Sequence, residues 1–75
     1  MISELDTVVL TRDLPEHGLE AGDVGAVVHV HPGAANFEVE FVSAEGRTLA
    51  LLTLPASDLR AMAGPEILHA RRLAS

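Results

Sequence analysis

The chain reads as an all-β protein, a small barrel of about five antiparallel strands with a 3₁₀ turn before the last strand and a short C-terminal helix or tail. Three observations carry that reading. A Gly22-Asp23-Val24-Gly25 turn leads straight into a segment rich in valine. Residues 36–42 alternate without a break, with Phe37, Val39 and Phe41 on one face and Asn36, Glu38, Glu40 and Val42 on the other. Turn residues punctuate the chain at short intervals, at Pro15, Gly18, Gly22, Pro32-Gly33, Gly46 and Gly64-Pro65.

Taken in order, residues 5–11 form a first strand because Thr7, Val8 and Val9 are β-branched. Residues 13–22 form a long loop, where binding residues tend to collect. Residues 24–31 form the second strand, with Val24, Ala26, Val28 and Val30 on one face and Gly25, Val27, His29 and His31 on the other. A turn at 32–35 leads to the third strand, and a turn at 43–46 to the fourth, residues 47–54. Residues 55–59 are too few for an α-helix and suit one 3₁₀ turn. Residues 59–62 make a short fifth strand, and Gly64-Pro65 breaks the chain. Residues 66–74 fit either a short helix or an extended tail. The expected division is a barrel over 1–63 and a C-terminal appendage over 64–75.

The fourth strand is apolar on both faces, the pattern of a strand covered on both sides. A three-residue loop with a bulge at Gly46 puts Leu49 and Leu51 in the core and turns Ala50, Leu52 and Leu54 outward. A two-residue Glu45-Gly46 loop swaps the two sets. Either way an apolar row lies outside the core. It is covered by Ile67, Leu68 and Leu73 of the tail, by a partner, or by a second copy.

Composition narrows the function. Seventy-five residues make one domain that buries about 60% of its unfolded surface. There is no cysteine, which excludes disulfides and thiol chemistry. No apolar run approaches the ~20 residues that cross a bilayer. The N-terminus is acidic and carries no basic stretch of the signal-peptide kind, so the expected location is the cytoplasm, without membrane contact. Five arginines and no lysine face eleven acids, for a formal charge of −6. That surface repels phosphate backbones and suits a basic protein partner.

The Gly25-Ala26-Val27-Val28 run after a glycine turn, the long first loop and the turn before the last strand resemble an SH3-like barrel of the KOW type, or the one in the nitrile hydratase β subunit. Closer still, residues 10–19 through Val27-Val28, with Val39-Glu40-Phe41 and Ala56-Ser57-Asp58-Leu59, resemble a family of small stand-alone bacterial proteins known only as a domain of unknown function. The resemblance covers residues 4–62. It implies a fold and brings no catalytic residue with it.

Chemistry-bearing groups are few. His29 and His31 share a face, and a hairpin pairing sets a histidine opposite Glu38 or Glu40. His29, His31 and Glu38 are therefore candidate metal ligands, set against a solvated polar face. No serine lies in a nucleophile motif, and Ser57-Asp58 reads as turn capping. The sequence thus predicts no catalysis and no cofactor. RNA binding by a KOW-type barrel needs basic loops and exposed aromatics, and this chain has only Phe37 and Phe41, both on the core face. The expected function is non-catalytic protein binding, as an acidic antitoxin-like or immunity-like accessory of a larger protein. Leu52, Leu54, Ile67 and Leu68 are expected to supply apolar contacts, and Glu16, Glu20 and Asp23 of the first loop to steer a basic partner. Self-association stays open. The alternative is an accessory or subunit-like barrel of a metalloenzyme, which would use His29 and His31.

Overall fold

The computed structural model describes residues 2–73. Five antiparallel strands form one sheet in the order β4-β3-β2-β1-β5, where β1 is Thr7–Leu10, β2 Val24–Val30, β3 Asn36–Val42, β4 Thr48–Pro55 and β5 Leu59–Ala61. Three 3₁₀ turns join them, at Pro15–His17, Pro32–Ala34 and Ala56–Asp58. The last sits before β5, at the position the sequence predicts. β1 starts later than expected, because Leu5 takes a left-handed φ of 73° and the Asp6 carboxylate accepts the Ser3 N–H in a tight turn.

One core is shared by all five strands. Val8 and Leu10 of β1, Val27 of β2, Phe37, Val39 and Phe41 of β3, Leu54 of β4 and Leu59 of β5 pack together, closed by Leu14 and Leu19 of the first loop. β3 alternates as its sequence predicts, and removing each of its inward side chains from water contributes about 1.5–3 kcal/mol. Gly25 makes the closest approach. A methyl group there would stand 2.7 Å from Val39 Cγ1 and 2.9 Å from Phe41 Cε1, so only glycine lets β2 lie this near the β3 side chains.

Two bulges break the simple alternation. Between β2 and β3, Val27 pairs with Val39 and His29 with Glu38, leaving Val28 as the extra residue. The expected faces of β2 therefore hold through Val27 and exchange beyond it. Val30 pairs with Phe37 and packs against the core, away from the Val24–Ala26–Val28 face assigned to it above.

Between β3 and β4, Phe41 pairs with Ala50 and Val42 with Thr48, leaving Leu49 as the extra residue. Leu54 then pairs with Phe37, and Leu52 with Val39. This corrects one expectation. Leu54 is buried and Leu52 is half-buried against the core, so neither belongs to an outward-facing apolar row. The apolar row outside the core is instead Leu51, 57% exposed, beside Val42 at 51%.

Val9 is buried although its neighbours in β1, Val8 and Leu10, take the core side. Its ladder partners are Val24 on one side and Arg60 on the other. The chain after β5 leaves from Arg60, which pairs with Glu66, and reaches Asp23 beside Val24, where Arg71 binds. Residues 66–71 thus link Arg60 and the residue next to Val24, the two positions that flank Val9 in the sheet, through side-chain contacts at their ends. Residues 66–73 have no regular secondary structure, so the described part of the appendage is a tail and not a helix. Residues 74 and 75 of the appendage lie outside the described residues.

Candidate partner-binding site

The first loop folds on itself through a Leu14–Leu19 bridge, with Gly18 in a left-handed conformation closing the 3₁₀ turn. Leu14 and Leu19 point into the core, which leaves the polar residues between them on the surface. Asp13 accepts the Ala21 N–H at 2.8 Å and Asp23 accepts the Glu20 N–H at 2.8 Å. These short-range bonds hold the two ends of the acidic stretch in place.

Into this stretch comes Arg71, from 48 residues away in sequence. Its Nε donates to Asp23 Oδ1 at 2.9 Å and its terminal nitrogen to Asp23 Oδ2 at 2.6 Å, a two-pronged pairing. The same terminal nitrogen donates to the Gly18 carbonyl at 2.9 Å, and the other lies 3.7 Å from Glu20. His69 Nε2 stands 3.5 Å from Asp23. The Arg71 hydrogen bonds hold the Asp23 carboxyl below its usual range, against burial, which acts the other way, and with help from the Glu20 N–H.

Residues 66–73, which form a strap from β5 back to the first loop, and the β3–β4 turn frame two shallow clefts beside this clasp. One, of about 410 Å³, runs between Val24, Phe41, Val42 and Leu49 of the sheet and Leu68, His69, Ala70, Arg71 and Leu73 of the strap. The other, of about 620 Å³, lies between the first loop, Arg47 and Leu49, with Arg71 and Leu73 on its wall. An acidic loop beside apolar clefts can hold a cation together with an apolar side chain.

The expected site residues distribute as follows. Glu16 and Glu20 are exposed on the first loop, Glu20 along the cleft wall. Asp23 is buried and already paired within the chain. Ile67 is 94% and Leu68 70% exposed, so neither is folded away over β4, whereas Leu73 lines both clefts beside Leu49. Sequence reasoning missed Arg71, His69 and Asp13. Their signal was faint, a lone Arg71-Arg72 pair near the end of an otherwise acidic chain.

On the outer face of β2 and β3, the His29 and His31 rings meet edge to face with centroids 5.1 Å apart. His31 Nε2 lies 3.4 Å from Glu38, and the Thr53 hydroxyl donates to the same carboxylate oxygen. That hydroxyl, then His31, holds the Glu38 carboxyl below its usual range. The pairing of His29 with Glu38 is one of the two registers expected. Among the described residues no group of three or more histidine, aspartate or glutamate side chains gathers closely enough to hold a metal ion. Phe37 and Phe41 are each 2% exposed, so neither offers a surface for stacking bases. No helix among the described residues is long and apolar enough to cross a membrane.

No curated protein matches this chain, and no solved structure does. Residues 4–61, from the turn before β1 to the end of β5, match one family across most of the chain, and the protein belongs to that family, the domain of unknown function DUF4926.

Proposed function

We propose that this protein is a non-catalytic binding module with an SH3-like barrel, an acidic cytoplasmic accessory of the antitoxin-like or immunity-like kind that docks onto a larger, basic protein through its first-loop end. The strand order β4-β3-β2-β1-β5 around one core supports the barrel reading. The observation that carries the functional reading is the acidic loop itself. Asp13, Glu20 and Asp23 gather around one arginine, and Glu16 and Glu20 remain exposed beside them. A surface of that sign steers a basic partner and makes its association sensitive to salt.

The experiment is affinity capture of the tagged full chain from a lysate of its source organism, at low and at high salt. One stoichiometric basic protein should be retained at low salt and lost at high salt. It should also be lost when Glu16→Lys and Glu20→Lys are introduced together. Retention indifferent to salt and to both substitutions would remove the acidic loop from the function.

A further inference from the structure

The strap over residues 66–73 is held in an unusual way. Among the described residues its backbone makes no hydrogen bond to the backbone of the sheet, the last such bond being Met62 N–H to Thr7. Of its larger apolar side chains Ile67 and Leu68 are 94% and 70% exposed, so burial of these two contributes little to its attachment, and Leu73, 44% exposed, is the one more than half buried. Side-chain contacts at its two ends remain, Arg60 with Glu66 at one, and at the other Arg71 with Asp23, Gly18 and Glu20, with His69 beside Asp23. Glu66 also accepts the Ala63 N–H at 2.6 Å, which shapes the turn out of β5. A segment attached this way opens at low cost compared with the strands beneath it. The family match ends at Ala61, so the acidic seat lies inside the matched domain and the arginine that fills it lies outside.

We propose that the strap is displaceable and that Arg71 occupies, within the chain, the seat an arginine of the protein partner takes on binding. This deepens the reading of the first-loop end as a partner-binding surface and rests on it. The occupant is an extended peptide segment of the partner carrying an arginine followed closely by an apolar residue, the arrangement that Arg71 and Leu73 display here.

Charge and shape both select it. When the strap leaves it takes both Arg71 and His69 from Asp23, and the three carboxylates of Asp13, Glu20 and Asp23 then outnumber Arg47 and His17, the basic side chains that line the cleft with Asp13 and Glu20, which leaves the seat net acidic. Asp23 and the Gly18 carbonyl offer three acceptor atoms to a guanidinium, a fork that a lysine ammonium matches less well. The strap that neutralises Asp23 also lies against it, so displacement returns the carboxylate to water rather than leaving a buried charge unpaired. A cation tethered in cis is present at high effective concentration. The partner's measured affinity is therefore reduced by the fraction of time the strap is closed.

The test uses the full-length protein and a fluorescent synthetic peptide copying residues 66–73. The native chain should bind the peptide weakly, because its own strap competes. Arg71→Ala should bind it about tenfold more tightly. Adding Asp23→Asn to that variant should abolish the gain, as should replacing the first arginine of the peptide by alanine. A peptide that binds Arg71→Ala no more tightly than the native chain overturns the proposal. Should Arg71→Ala fail to fold, the peptide is titrated into the isotope-labelled native chain, where it should move the amide resonances of Gly18, Glu20 and Asp23. Unmoved resonances up to about 1 mM peptide overturn the proposal equally. If the captured partner still depends on Glu16 and Glu20 in that case, the binding module stands and the displaceable strap falls.

Discussion

Asp23 and Glu38 are both carboxylates set against basic side chains, and they do different jobs. Asp23 has 11% of its side chain exposed and grips Arg71 with both oxygens, across 48 residues of sequence. Glu38 has 27% of its side chain exposed, and its basic partner, His31, lies seven residues back at 3.4 Å. An ion pair sheltered from water interacts more strongly and is screened less than one on the surface. Loop closure matters as well. The Asp23 clasp ties the chain beyond β5 back to the first loop, whereas Glu38 bonds only side chains of its own neighbouring strands. The first contact organises a surface made of distant segments; the second decorates a hairpin that the ladder already holds.

The largest effect should come from Asp23→Ala. It removes three charge-assisted or backbone bonds at once and should lower unfolding free energy by about 1.5 kcal/mol, read from the urea midpoint. The diagnostic part is local. Amide exchange at residues 66–73 should accelerate towards that of an unstructured chain, while the amides of β3 follow only the change in global stability. Equal acceleration in the strap and in β3 would mean that the clasp is part of the cooperative core.

Acid should have a smaller, graded effect with a definite sign. The folded pKa of Asp23 lies below its unfolded value, so in that range the unfolded chain binds more protons. The stabilisation is fully present above the ordinary carboxylate range and is lost as pH falls through the lowered Asp23 value. Stability measured from neutrality downward should therefore decline on the acid side, and Asp23→Asn should flatten that limb. Glu38 and Glu66 are lowered too, in the same direction, but with solvent to screen them their share should be minor. An acid limb unchanged by Asp23→Asn would show that the sheltered and the exposed carboxylates contribute alike.

The sequence made much of the sheet legible and little of the clasp. The alternation from Phe37 to Phe41 is a period that only a half-buried strand produces, and β3 came through with its predicted ends. Pro55 through Asp58 marked the 3₁₀ turn by its shortness and its turn residues. β4 was a different matter. Thr48 to Leu54 is apolar on both faces, so its pattern is the same in either register, and the bulge at Leu49 decides which leucines face inward. Leu52 and Leu54 fell on the wrong side of that choice as partner contacts. Val28 is a second bulge with no local signature, since Val27 and Val28 are interchangeable to any periodicity argument. Arg71 and Asp23 are further apart than any local pattern reaches, and a long-range ion pair leaves no periodic trace. The acidic loop was legible as charge, but that its charge is met from within the chain was not.

The smallest effect should be that of Glu38→Gln, and it tests the comparison from its weaker side. Glutamine keeps a carbonyl oxygen where the carboxylate was, so the Thr53 hydroxyl retains an acceptor and only the charge facing His31 and His29 is lost. The cross-strand pairs of Glu38 with His29 and Thr53 are held by the backbone ladders, which the substitution leaves intact. The urea midpoint should stay within experimental scatter of the native value at neutral pH, and amide exchange in the strap should not change at all. A shift approaching that of Asp23→Ala would show that the exposed histidine–glutamate face carries stability its solvation argues against. The distinction between a clasp that joins distant segments and a pair that decorates a hairpin would then have to rest on something other than shelter from water.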